Sequence, residues 1–74
     1  MKATQVIRTI VEEKDMKYSE LAFQLNVKKN VLSERLRQDN ISIDKMNELL
    51  RVLGYKMVAV PYDTPVKDEW FDID

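Results

Sequence analysis

Lys29, Asn30, Ser33 and Glu34 stand within a stretch of six residues, and each carries a group able to bond to the edge of a nucleic-acid base. Asparagine bonds bidentately to adenine, lysine donates to guanine N7 and O6, and a serine hydroxyl serves either base. Glu34 has two readings of equal weight: it accepts from a cytosine amino group, or it pairs with a nearby lysine or arginine on the surface. Arg37 lies farther along and is expected at phosphate rather than at bases. At 100° per residue, Asn30, Ser33, Glu34 and Arg37 occupy one broad side of a helix and Lys29 flanks it at the first turn. Leu32 and Leu36, one turn apart, form the opposite, buried stripe.

The net charge of −1 argues against a polyanionic partner until it is divided along the chain. Residues 1–60 carry 11 Lys/Arg against 8 Asp/Glu, whereas residues 61–74 carry Lys67 against Asp63, Asp68, Glu69, Asp72 and Asp74. The acidity belongs to the tail. Around the helix just described, Lys28, Lys29, Arg35 and Arg37 oppose only Glu34, a local excess that attracts phosphates. From charge alone a solvated helix face explains this better, so the spacing has to carry the argument.

With 74 residues the chain is one domain, and such a domain buries only about 60% of its unfolded surface. Cysteine and histidine are both absent, which excludes disulfides and His/Cys metal sites as added stabilisers and makes a dimer the default expectation. The longest purely apolar run is Met57-Val58-Ala59-Val60, far below the roughly 20 residues that span a bilayer. A soluble, cytoplasmic protein is expected. Pairs such as Asp68 with Glu69, or Asp72 with Asp74, offer too few ligands for a metal and no nucleophile with a base. Neither enzymatic activity nor a cofactor is expected.

The elements that must position the reading face follow from periodicity and caps. Thr4 is the expected cap of a helix over residues 4–14 that buries Val6, Ile7, Ile10 and Val11. Residues 15–17 connect it to a two-turn helix over 18–25, filled by Leu21, Ala22 and Leu25. Asn26 stops that helix, because asparagine tolerates the left-handed conformation, and Val27 supplies the apolar contact that accompanies such a stop. The reading helix spans 29–37. Ser42 caps a fourth helix over 43–53, with Ile41 and Met46 spaced as a hydrophobic staple and Ile43, Met46, Leu49, Leu50 and Leu53 buried. Gly54, the only glycine, ends it.

Beyond Gly54, residues 55–60 are short, partly β-branched and closed by Pro61, which predicts one strand. A lone strand leaves its backbone unpaired, so it must pair with the tail, with a second protomer, or with both; Pro65 and the five acids favour the protomer. The tail over 62–74 combines those acids with Trp70, Phe71 and Ile73. It folds back or joins a dimer contact, docks a foreign partner, or stays disordered.

Ala22 is a small residue at the place where the second and third helices must cross closely. With Leu21, Leu25, Val27, Leu32 and Leu36 it makes an apolar wedge, so the two helices form a rigid bracket with the third one exposed. The run S-E-L-A-F-Q-L-N-V, then K-K-N-V-L-S-E-R-L-R, then S-I-D-K-M-N-E-L-L-R-V-L-G-Y resembles the phage repressor and Cro-type helix-turn-helix proteins, the XRE-like or lambda-repressor-like family. With the first helix, the resemblance covers about residues 4–55. Asn26 stands where the family most often has glycine. Lys28 and Lys17 stand where caps are common, and lysine there cannot cap and opposes the helix dipole. Contact with phosphate would be a reason to keep Lys28.

The resemblance implies a mainly α, four-helix domain over 1–54, acting as a transcriptional repressor or autoregulator of phage type, usually as a dimer on a palindromic operator. It further implies backbone clamps at Tyr18, Ser19, Asn40, Ser42 and Lys45; for Ser19 and Ser42, capping alone is an equal reading. The expectation is therefore a homodimer on double-stranded DNA. Its protomers are joined by the strand and tail over 55–74 through Tyr55, Met57, Val58, Val60, Trp70 and Phe71, with reading helices roughly 34 Å apart. The rival expectation is an antitoxin or small inhibitor that holds a protein through its acidic aromatic tail.

Overall fold

The computed structural model describes residues 1–73, and Asp74, one of the tail's acids, lies outside them. Four helices follow one another: α1 (Ala3–Glu13), α2 (Tyr18–Leu25), α3 (Lys29–Arg37) and α4 (Ile43–Val52). The bounds of α2 and α3 are those expected from the sequence, α1 lies one residue earlier at both ends, and α4 ends one residue sooner.

Thr4 does not cap α1. It sits inside the first turn, buried, and the N-cap is Lys2, whose N–H donates to Gln5 Oε1 at 2.9 Å. Lysine has no acceptor to offer in return; the glutamine three residues on marks the start by itself, and the helix begins one residue earlier than expected.

Three helices end in the same way. Asp15, Asn26 and Gly54 all have φ between 52° and 84°. After each, the next N–H reaches back five residues: Met16 to the Val11 carbonyl at 3.0 Å, Val27 to Ala22 at 3.1 Å, and Tyr55 to Leu50 at 2.8 Å. This double reversal satisfies carbonyls left open by the last turn and drops an apolar side chain back onto the helix it leaves. Gly54 adopts the conformation without penalty, and Asp15 and Asn26 are among the few other residue types that do so routinely.

The core runs through all four helices: Val6, Ile7, Ile10 and Val11 of α1, Leu21 and Ala22 of α2, Leu32 and Leu36 of α3, and Met46, Leu49 and Leu50 of α4, closed by Leu53. Leu25, Val27 and Ile41 are half-buried against it. Ile43, expected inside, is 67% exposed. It has the right helical phase, but as the first residue of α4 it projects past the edge of the cluster, beside Met57 and Ile73 at the rim of a shallow depression.

No strand forms among the described residues. The segment 55–60 is non-helical, and residues 56–60 make no backbone–backbone hydrogen bond with any described residue. A ladder needs a second extended chain about 4.8 Å away, and the tail does not supply it. Instead, tight turns at Pro61–Thr64 and Lys67–Trp70 bring the chain back, each closed by an N–H to carbonyl bond of 3.0 Å. Phe71 meets Tyr55 edge-on, with ring centroids 5.9 Å apart, and Phe71 and Ile73 pack on the core. An open groove of about 810 Å³ runs between the tail and the Val6–Leu50 side of the helices. No described helix is long and apolar enough to cross a membrane.

Candidate nucleic-acid interface

The wedge of Leu21, Ala22, Leu32 and Leu36 is buried, so α3 is held by one side and presents the other. Lys29, Asn30, Ser33, Glu34 and Arg37 are all exposed, and at 100° per residue they fall within an arc of about 140°. The side chains of Lys29, Asn30 and Ser33 make no hydrogen bond or ion pair with another described residue. They are donors and acceptors left to solvent on a face whose shape is fixed from behind.

Glu34 pairs with Arg37 across one turn of α3. Of its two sequence readings, the surface pair is the one formed in the free chain. Arg35, counted in the cationic run, lies outside that arc: its side chain is only 16% exposed and its Nη1 meets Glu48 Oε2 of α4 at 3.0 Å. The exposed side of α3 therefore carries Lys28, Lys29 and Arg37 against Glu34.

Lys28 and Lys17 occupy the N-cap positions of α3 and α2, and neither makes a side-chain capping bond. The Lys28 carbonyl accepts from Val31 and Leu32 at 3.0 and 3.1 Å, so its backbone starts the helix while its ammonium is exposed. A lysine here contributes nothing to the open N–H groups and sets positive charge at the positive end of the helix.

The two candidate serine clamps behave differently. Ser42 Oγ accepts from the Lys45 N–H at 3.2 Å, which is capping, while its hydroxyl proton stays available to an external acceptor. Ser19 lies in the first turn of α2 behind Lys17, exposed and without a capping bond. Tyr18 is half-buried against the core; Asn40 and Lys45 are exposed. Asn40 lines the shallow depression that also holds Lys2 and Asp39, themselves paired at 3.2 Å.

At the far end of the chain, Met57, Val58, Val60 and Trp70 are exposed, Val58 by 61%, and Lys67 Nζ lies 5.2 Å from the Trp70 ring centre. Tyr55 and Phe71 are partly used up on each other. Among the described residues no group of three acids converges as a metal site would require.

One contact had no sequence signal at all. Arg8 Nη2 donates to the Leu36 carbonyl at 3.1 Å, tying α1 to the end of α3 across 28 residues. Local spacing reveals nothing at that separation. The chain matches no protein-family model, no curated protein and no solved structure.

Proposed function

We propose that the protein is a sequence-specific, double-stranded-DNA-binding transcriptional repressor or autoregulator of the lambda-repressor-like helix-turn-helix kind, working in the cytoplasm. The observation that carries this reading is the trio Lys29, Asn30 and Ser33 on the exposed side of α3, whose side chains have no partner among the described residues, while the helix's other side is seated on the core by Leu32 and Leu36. A helix so held fits a major groove about 12 Å wide, with asparagine for adenine, lysine for guanine and serine for either. Lys28 and Arg37 are assigned to phosphates, with Tyr18, Ser19, Asn40, Ser42 and Lys45 as clamps on the backbone to either side.

The protein acts as a homodimer on an inverted repeat. Residues 56–60 have backbone groups that no described residue pairs with, and exposed Met57, Val58 and Val60, which suits pairing with the same segment of a second copy. Trp70 continues that apolar surface. A second reading, a protein partner held by the tail, is favoured by Tyr62, which stands fully exposed beside the acids.

Selection of bound duplexes from a random pool tests the first reading. An enriched inverted repeat is expected, and no enrichment even at low salt would overturn it. Removing residues 62–74 separates the two roles of the tail: loss of the dimer assigns it to self-association, and an intact DNA-binding dimer that loses a co-purifying protein assigns it to docking.

A further inference from the structure

α3 is the one described helix that does not close on a left-handed residue. Its chain leaves through Gln38 in an extended conformation; the Gln38 N–H still reaches the Arg35 carbonyl at 3.3 Å, but among the described residues no backbone donor returns to the Leu36 carbonyl. The Leu36 carbonyl accepts instead from Arg8 of α1 at 3.1 Å. One residue earlier, Arg35 turns inward to Glu48 of α4 at 3.0 Å. Two successive residues at the end of α3 are thus gripped by charged groups from two other helices.

Apolar contacts at Leu32 and Leu36 set how deeply α3 is seated, but they are non-directional and permit it to roll about its axis. Hydrogen bonds weaken steeply off line, so two of them from different helices resist that roll. A binding constellation must be held to within about 10–20° to work, and an α3 rolled further would carry Lys29, Asn30 and Ser33 off their targets together.

We infer that Arg8, Arg35 and Glu48 are positioning residues that fix the roll of α3 and, through it, base discrimination. The inference rests on the reading of α3 as the base-reading helix. It also removes two arginines from the pool of phosphate contacts that charge counting would assign.

The test compares wild type, Arg8→Met, Glu48→Gln, Arg35→Glu and the swapped pair Arg35→Glu with Glu48→Arg. Affinity is measured for the selected duplex and for a random duplex over a range of salt, well below each variant's melting temperature. Arg8→Met and Glu48→Gln are each expected to lower the specific-to-random ratio about five-fold while leaving the salt slope on random DNA unchanged. The swapped pair is expected to regain most of the ratio lost by Arg35→Glu alone. An unchanged ratio with a salt slope reduced by about one makes the arginine a phosphate contact and overturns its positioning role. A lowered melting temperature with an unchanged ratio makes the contacts merely structural and overturns it as well. If wild type prefers no duplex, the DNA reading fails on its own. The brace is then judged by hydrogen exchange at the amides of residues 36–38: exchange about five-fold faster in Arg8→Met and Glu48→Gln supports it, and unchanged exchange overturns it.

Discussion

The Val27 N–H donates to the Ala22 carbonyl at 3.1 Å, and this bond turns the chain from α2 into α3. It forms only because Asn26 adopts φ 57°, ψ 43°, which sends Val27 back over the helix it has just left. The bracket therefore depends on one residue's tolerance of the left-handed region.

Asn26→Gly removes the remaining conformational penalty and is expected to match or exceed wild-type stability, whereas Asn26→Ala should lose about 1 kcal/mol. Urea denaturation midpoints at constant slope check both. An alanine variant as stable as wild type would mean that the turn is held by packing and not by backbone preference.

Lys28 and Lys17 leave the first N–H groups of α3 and α2 without a side-chain acceptor. Lys28→Ser supplies one and removes an unfavourable charge from the helix start, for an expected gain of about 1 kcal/mol. If the ammonium contacts phosphate, the same substitution weakens DNA binding and reduces its salt slope by about one. Stability and affinity should move in opposite directions, and tighter binding by the serine variant would remove Lys28 from the interface.

The parts of the fold legible in the sequence are those encoded within a few residues. Asn26 with Val27, Ser42 with Ile41 and Met46, and Gly54 each state a helix end locally, and the bounds of α2 and α3 follow. Thr4 misleads because a threonine near an apolar run looks like a cap, while Gln5 anchors the start at Lys2. Ile43 misleads because periodicity gives the phase of a side chain and not how far the core extends. Arg35 is counted with the cations of the run, but its helical phase lies outside the exposed arc and it pairs with Glu48, 13 residues away. The exposed side of α3 was readable because Leu32 and Leu36 alone fix which side is buried. The course of 55–60 was not, because strand propensity says nothing about whether a partner is at hand.

The contrast between Ile43 and its neighbours on α4 has a direct consequence for stability. Leu49 is fully buried, so Leu49→Ala should lose about 2–5 kcal/mol, a large share of what a domain of this size has. Ile43→Ser removes an exposed side chain and should stay within about 0.5 kcal/mol. Thermal or urea unfolding of the two variants checks this, and a large loss at Ile43 would place it in an interface between copies.

Glu34 and Arg37 pair on the exposed side of α3, both largely in solvent, so the pair itself is worth on the order of 0.2–0.5 kcal/mol. Its larger effect is on what Arg37 is free to do. With Glu34→Gln the guanidinium loses its partner and an anion leaves the face, so binding should strengthen on every duplex and its salt dependence should steepen. Arg37→Ala should weaken all duplexes evenly, while Lys29→Ala or Asn30→Ala should lose about 1–3 kcal/mol on the preferred duplex and less on random DNA. Repeating the duplex selection with Glu34→Gln decides the role of the carboxylate. An unchanged half-site with tighter binding means that Glu34 restrains Arg37, and a changed preference at a single base pair means that it leaves Arg37 to read a cytosine in the complex.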